Sequence, residues 1–413
     1  MKVAVVGLGK IGLPLAVQYA SRGLEVLGCD IDASRAERIN AGDCPVAGEE
    51  GVEAGLAAAL RDGRLRATTD TSGAVAESDV AVIIVPVGLT PELAPDFSQL
   101  DAATDAIAAR LRRGTLVVLE STVPVGTTRG RVGAKLGRDA LLAASPERVS
   151  SGRILQDLRT YPKIIGPIDD ASWQQAEAFY SAALEAPCLL RVRDPETAEF
   201  AKLAEGIYRD VNIALAGELA RYADAIGIDV TEAIAAANTQ PYSHLHQPGV
   251  GVGGHCLPVY PHFLPEGAVG IARRAREVND SMAAYGVSRL EEALGSLEGA
   301  TVLILGLAYR PNVKEASHSS ALLLAAALRE RGARPLVHDP WFSDDEVRAL
   351  GLEPPETFPP ARVDALIVQA LHDAYGELDV RMFPGCRVVL DGRNVLDRAP
   401  IEAAGARYLG VGR

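Results

Sequence analysis

The chain runs to 413 residues, 48% apolar and 23% charged, with a net charge of −13. That length exceeds one ordinary hydrophobic core and that balance excludes a disordered chain, so two or three globular domains are expected. The acidic balance, with no lysine-rich run, excludes a nucleic-acid backbone or an anionic membrane surface as a general partner, and any anionic ligand must be gripped locally.

Five cysteines, Cys29, Cys44, Cys188, Cys256 and Cys386, are odd in number and lack CxxC spacing, which argues against a disulfide framework and against a zinc site. No metal is expected. The opening MKVAVVGLG reads as a strand and not as a leader, and no apolar run reaches the ~18 residues of a membrane span, so a cytoplasmic location is expected.

In chain order, residues 3–6 predict a strand running into the turn Gly7-Leu8-Gly9-Lys10-Ile11-Gly12. Residues 13–22 then predict a helix stopped at Gly23, and residues 24–29 a second strand closed by Asp30. Strand, glycine turn, helix, strand and acid form the context in which GxGxxG binds a dinucleotide. Gly7 permits the tight turn, Gly9 admits a pyrophosphate, Gly12 lets helix pack on strand, and the helix N-terminus faces the phosphates. Asp30 suits the ribose hydroxyls and would repel a 2′-phosphate, which selects NAD over NADP.

Further strands are predicted over residues 80–85 before Pro86, 116–119 and 141–143, with a helix over 100–113. This alternation implies a mostly parallel, doubly wound sheet, whose strand ends collect ligands. The polar clusters Glu120-Ser-Thr-Val-Pro-Val-Gly126 and Ser145-Pro-Glu-Arg148 follow such ends. Residues 195–237 read as a long helical segment, a natural dimerisation surface. Near Gly299 the chain restarts with strands over 300–305, 334–338, 365–368 and 387–391 and a helix over 319–331. This second Rossmann-like unit lacks the full fingerprint, and its glycine turn carries Arg310, suited to phosphates. The fold class is thus α/β, two Rossmann-like doubly wound domains joined by a central helical segment. The expected domains are residues 1–192 for NAD, 193–292 for the helical and dimerisation region, and 293–413.

Residues 249–261 read GVGVGGHCLPVYP. A thiol behind Gly249, Gly251, Gly253 and Gly254 suits covalent chemistry, since residues without Cβ let backbone N–H groups and a ligand approach the sulfur. The competing reading is a buried structural cysteine in a turn.

Taken together, the dinucleotide fingerprint, the SPER segment, Lys202 in AEFAKLAEG, the GGHC cysteine and the second Rossmann unit resemble the UDP-sugar 6-dehydrogenase family over essentially the whole chain. PERV (146–149), RDVNIA (209–214) and GVGGHCLPV (251–259) are similar to the branch acting on UDP-N-acetylhexosamines, where UDP-glucose dehydrogenases usually carry PEFL and GGSC. The resemblance implies a four-electron oxidation: a hydride passes from C6 of a UDP-sugar to NAD, a cysteine captures the aldehyde, a second NAD oxidises the thiohemiacetal to a thioester, and water releases the uronic acid.

Carried onto this chain, the resemblance makes Cys256 the nucleophile and Glu147 the general base of thioester hydrolysis. Lys202 would stabilise the alkoxide and oxyanion or hold a water, and Thr122 would orient water or the nicotinamide. Gly7, Gly9, Lys10, Ile11, Gly12, Asp30, Pro86 and Thr122 would contact the cofactor. Arg148 would meet the sugar substituent, with Lys202, Gly253, Gly254 and Tyr309 also at the substrate and Arg310 and Arg393 at its diphosphate. His255 would position backbone or neighbour the nicotinamide. A homodimer or higher homo-oligomer is implied. The alternatives are a divergent nucleotide-sugar dehydrogenase that stops at the aldehyde or takes another sugar such as UDP-glucose, and a weakly active nucleotide-sugar-binding protein.

Four positions depart from the family pattern. Gly206 stands where Asn follows the lysine by one turn, Tyr260 where Asp follows the cysteine, and Ser317 where an arginine is usual. The arginine expected before the glycine loop is missing from Tyr242-Ser-His-Leu-His246, where His244 and His246 are either substitutes for it or solvated loop residues.

Overall fold

The computed structural model describes residues 1–46, 48–137, 140–185, 188–265, 267, 270–376 and 378–413. The chain forms two compact units, Met1–Glu205 with His262–Pro265 and Gly206–Pro261 with Glu266–Arg413. The helical segment expected over residues 193–292 is therefore shared between them.

The first unit is built on β1 (Lys2–Val6), β2 (Glu25–Cys29), β3 (Leu65–Thr68) and β4 (Val80–Ile83), the short hairpin β5 (Gly88–Leu89) and β6 (Pro95–Asp96), then β7 (Leu116–Leu119), β8 (Leu141–Ala144), β9 (Lys163–Pro167) and β10 (Leu189–Arg191). Eight of these make one sheet in the order β10-β9-β8-β7-β4-β1-β2-β3. The strand sequences are continuous apolar runs because both faces are covered: Val3 and Val5 enter one core with Leu13 and Val17, while Ala4 and Val6 enter the other with Leu100 and Ile107. All pairings in the sheet are parallel except β8 with β9, where Ala143 faces Pro167 and Ala144 faces Gly166.

Asp32, Asp70 and Asp169 cap the helices Ala33–Asn40, Thr71–Glu77 and Asp170–Ala183 by accepting from backbone N–H groups. The helix Gly12–Ser21 after the glycine turn has no side-chain cap. Its first N–H groups are thus left for another acceptor, as phosphate binding at a helix N-terminus requires.

The second unit carries a five-stranded, wholly parallel sheet in the order β12-β11-β13-β14-β15. Its strands are β11 (Thr301–Leu305), β12 (Arg334–His338), β13 (Ala365–Val368), β14 (Val388–Asp391) and β15 (Arg407–Gly410). Here the first helix, Ser320–Arg329, is capped by its own Ser319, which accepts from Ala321 N. Asp339, which ends β12 as Asp30 ends β2, is also committed internally. It accepts from Leu307 N, Ala308 N and Trp341 N and lies 2.9 Å from His372 Nε2. The second unit therefore keeps the Rossmann topology with its helix end and acid both occupied from within.

The helices Pro195–Ile226 and Gly270–Leu294 supply the central segment. Asp210 is fully buried, and its Oδ1 accepts from Arg276 Nη1 and Asn279 Nδ2, both at 2.8 Å. Burial pushes the Asp210 carboxyl up to about 6 against the pull of Arg276 and Asn279. A carboxyl raised on folding contributes stability that is complete below its unfolded value and is lost as pH rises through 6. Asp210→Asn should therefore gain on wild type by about 1–2 kcal/mol between pH 4.5 and pH 8. Denaturant midpoints that run parallel across that range would refute this.

No helix among the described residues is long and apolar enough to cross a membrane.

Candidate active site

In the first unit the glycine turn is shaped by close approach. Gly7 has φ +101°, and a Cβ there would stand 2.7 Å from Ile84 O. A Cβ at Gly12 would stand 1.8 Å from Gly7 O, so neither position admits a side chain. At Gly9 a Cβ would meet nothing within 4 Å, which leaves bare backbone facing open space in front of the uncapped helix. Lys10 and Ile11 are half-buried in the same turn, and Pro86 is exposed just past β4. The Asp30 carboxylate stands at the end of β2, accepting from Leu8 N at 2.9 Å and Asp32 N at 3.0 Å, with Arg35 Nη1 at 3.1 Å. Bare glycine backbone, a free helix end and an acid beyond the second strand are what an NAD pyrophosphate and ribose require.

Beyond β7 and β8 a buried ionic cluster forms. Lys163 Nζ lies 3.1 Å from Glu120 Oε2 and 2.8 Å from Glu147 Oε2. Tyr180 and Tyr19 donate to Glu120 Oε1, the latter at 3.2 Å. Glu147 Oε1 accepts from Arg148 N at 2.7 Å and Val149 N at 3.3 Å. Burial would raise the Glu147 carboxyl, but Lys163, the backbone donors and the Lys202 charge together hold it below the usual glutamate value. Burial carries Glu120 the other way, upward, despite Lys163. Of the two, Glu147 is thus the carboxylate held more firmly in its ionised form, the form a general base needs.

Thr122 is half-buried in the loop after β7. That loop is held by buried Glu199, which accepts from Gly126 N at 2.5 Å, Thr128 N at 2.7 Å and Thr128 Oγ1 at 2.6 Å. Lys202 follows on the helix Pro195–Ile226 and is half-buried. Arg148 pairs with Glu205 and donates from Nη1 to Pro162 O at 3.3 Å.

Reading the sequence missed Glu120, as a single residue, and Lys163. The available signal was a lysine opening the otherwise apolar run Lys163-Ile164-Ile165, a place where a charge survives only if paired.

In the second unit the cysteine loop is clamped at both ends. Val250 N donates to Gly392 O at 3.0 Å, and Gly254 N to Ser317 O at 2.8 Å. The glycines are needed for contact. A Cβ would stand 2.8 Å from Arg393 Nη1 at Gly249, 2.8 Å from Tyr309 Cβ at Gly253, and 3.2 Å from the Tyr309 ring at Gly254, which also has φ +96°.

The Arg393 guanidinium, assigned to a diphosphate by the resemblance, donates from Nε to Gln369 O at 2.7 Å and from Nη1 to Gly251 O at 2.9 Å. It ties the loop to the strand ends of the sheet, and burial pulls it down to about 10, still cationic at neutral pH. Arg310 Nε lies 3.2 Å from Tyr309 Oη.

His255 Nε2 is 2.9 Å from Glu315 Oε2 and 3.4 Å from Ser317 Oγ. Burial would raise Glu315, but hydrogen bonds from His255 and Ser317 hold it down at about 2. Ser317, in place of the usual arginine, thus braces the residue before Cys256. His244 is exposed and His246 half-buried, its backbone N donating to Asn212 Oδ1 at 3.0 Å.

Cys256 itself is exposed, unlike Cys29 and Cys386, whose thiols burial pushes up to about 12 and about 11. Cys256 is therefore not the buried turn cysteine of the competing reading. Tyr260 Oη donates to Cys256 Sγ at 3.2 Å.

Comparison with known proteins gives matches to three domain models in order. Residues 1–184 match the NAD binding domain, 196–281 the central domain and 303–398 the UDP binding domain of the UDP-glucose/GDP-mannose dehydrogenase family. The chain is 34% identical to a UDP-N-acetyl-D-mannosamine dehydrogenase of Pyrococcus horikoshii, covering 100% of this chain and 99% of that one. It is 34% identical to an NDP-N-acetyl-D-galactosaminuronic acid dehydrogenase of Ralstonia solanacearum, over 95% and 96% of the two chains. A solved structure of a UDP-D-ManNAc dehydrogenase from Pyrococcus horikoshii superposes with a TM-score of 0.89 at 33% identity, over 100% of this chain and 99% of that one. Agreement that runs unbroken through all three domains and along full-length relatives can come only from common descent: the chain belongs to the UDP-glucose/GDP-mannose dehydrogenase family and is an NAD-dependent UDP-sugar dehydrogenase.

Proposed function

We propose that this enzyme oxidises the C6 hydroxymethyl group of a UDP-N-acetylhexosamine to the UDP-uronic acid in two steps, with Cys256 as covalent nucleophile. The observation that carries the reading is Cys256 itself, an exposed residue that directly follows a glycine loop fixed at Val250 and Gly254. The N-acetylhexosamine follows the PERV, RDVNIA and GVGGHCLPV motifs and the names of the Pyrococcus and Ralstonia relatives.

NAD, when bound, supplies the hydride acceptor for both oxidations. The protein supplies the rest. Cys256 adds to the C6 aldehyde and retains it, so that its carbon can give up a second hydride. Lys202 offers a cation where negative charge develops on the C6 oxygen. Glu147 takes the proton of the water that opens the thioester, its Oε1 fixed by the Arg148 and Val149 N–H groups. Thr122 orients water or the nicotinamide, Arg148 meets the sugar substituent, and Arg310 serves the diphosphate, for which a guanidinium has matching geometry.

A second copy of the chain fits this reading. Tyr208, Leu215 and Tyr222 recur every seven residues on the helix Pro195–Ile226, 54%, 44% and 64% exposed, an apolar seam suited to a homodimer. Light scattering that reports a monomer would count against that seam.

The test is the stoichiometry of NADH released from UDP-N-acetyl-D-mannosamine, with the product identified by mass. Two NADH per sugar and an acid are expected. One NADH and an aldehyde would replace the reading with an enzyme that stops halfway. Binding without NADH, across a panel of nucleotide sugars including UDP-glucose, would make the protein a binding subunit.

A further inference from the structure

Tyr260 and Gly206 depart from the family pattern at two positions far apart in sequence, and the structure joins them. Tyr260 N donates to Cys256 O at 2.9 Å, so the two residues share one helical turn and their side chains point the same way. The Tyr260 hydroxyl then reaches Cys256 Sγ at 3.2 Å. Its ring is buried, 9% exposed, and lies over Gly206, where a Cβ would stand 2.8 Å from Tyr260 Cδ2. The absent side chain at position 206 is what admits the ring, and the ring's seat aims the hydroxyl at the sulfur.

We propose that Tyr260 is a catalytic residue whose O–H hydrogen-bonds the Cys256 sulfur and stabilises it as a thiolate, both when it attacks the sugar aldehyde and when it leaves the acyl group. The proposal rests on the reading of Cys256 as the nucleophile. An ionised carboxylate at position 260 could only accept hydrogen bonds and would repel a thiolate, whereas a phenol donates. In the first step the sulfur lone pair forms the bond to C6 and the carbonyl π pair moves to oxygen, which takes a proton. With NAD bound as hydride acceptor, that carbon would give up its hydride while its hydroxyl oxygen releases the proton to water, leaving the thioester. Water adds to the thioester carbonyl, the C–S bond breaks, and the electron pair returns to sulfur, where the Tyr260 O–H meets it. The replacement therefore shifts position 260 from handling water to holding sulfur, and water activation falls to Glu147.

The experiment uses the full chain and Tyr260→Phe, which keeps the ring over Gly206 and removes the donor. Alkylation of Cys256 by iodoacetamide at pH 7, followed on its own peptide by mass, needs no sugar. The donor stabilises the attacking sulfur, so its removal should slow alkylation about threefold. Acid formation from UDP-N-acetyl-D-mannosamine and NAD should fall about tenfold, the equivalent of one hydrogen bond to a charged group. Gly206→Ala, which displaces the ring, should slow alkylation as well, and combining it with Tyr260→Phe should add nothing further.

Wild-type alkylation or wild-type acid formation in Tyr260→Phe, or wild-type alkylation in Gly206→Ala should the phenylalanine variant not fold, overturns the proposal. Cys256→Ser separates the two readings. If that variant still makes acid, the covalent reading fails and the catalytic role of Tyr260 with it. If it is inactive while Tyr260→Phe behaves as wild type, only the present proposal fails.

Discussion

Cys256→Ser is expected to abolish acid formation, by a factor on the order of 10⁴ or more, the scale on which removal of a nucleophile acts. A serine hydroxyl is a weak nucleophile without an adjacent general base, and the neighbouring His255 ring nitrogen already faces Glu315 and Ser317. The loop itself should be undisturbed, because its clamps at Val250 and Gly254 are backbone bonds and Arg393 holds Gly251 O. Product mass with NAD and UDP-N-acetyl-D-mannosamine is the measurement. Wild-type acid yield would remove the thioester from the mechanism.

Lys163→Met should cost the first unit about 3–5 kcal/mol, because it strands two buried carboxylates that share one cation. In a unit of this size that corresponds to roughly 10 °C in melting temperature. The same variant should move the acid limb of thioester hydrolysis to higher pH, since Glu147 loses the principal partner that keeps it ionised. In the wild type a depressed Glu147 contributes stability above the ordinary glutamate value of about 4.3, and that contribution is lost as pH falls through its lower folded value. Lys163→Arg should retain most of both properties, and adding Glu120→Gln to Lys163→Met should restore part of the stability by removing one stranded charge. A melting curve within 1–2 °C of wild type for Lys163→Met alone would show that the cluster is not held by this cation.

The Lys163 cluster also marks where reading the sequence stops. The glycine turn, its helix and Asp30 were legible because they are local: each role depends on neighbours within thirty residues. The alternation of strands and helices likewise pointed to parallel sheets, and all but one of the pairings in the two large sheets are parallel. The exception could not be read, since an antiparallel β9 follows an intervening helix, Ile154–Thr160, just as a parallel strand would. Yet that reversal builds the cluster. Ala144 faces Gly166, so continuing the register by three residues sets Glu147 opposite Lys163. A parallel β9 would have placed its first residue at the far edge of the sheet, away from both glutamates.

Arg393 illustrates the same limit. An arginine in LDGRNVLD suits a phosphate by type alone, and only the fold brings Gly251 O within its reach. By contrast, the departures at positions 206 and 260 were visible in the sequence, but their contact was not, because 54 residues separate them (260 − 206).

The seat of the Tyr260 ring on Gly206 also constrains how this chain can have arisen. With any side chain at position 206, its Cβ would stand 2.8 Å from the ring, so a tyrosine entering at 260 first would have been expelled from its place and would have missed the sulfur. A glycine entering first would have cost only helix propensity, about 1 kcal/mol relative to alanine. The two positions are therefore coupled: an amide placed at 206 alone would collide with the Tyr260 ring.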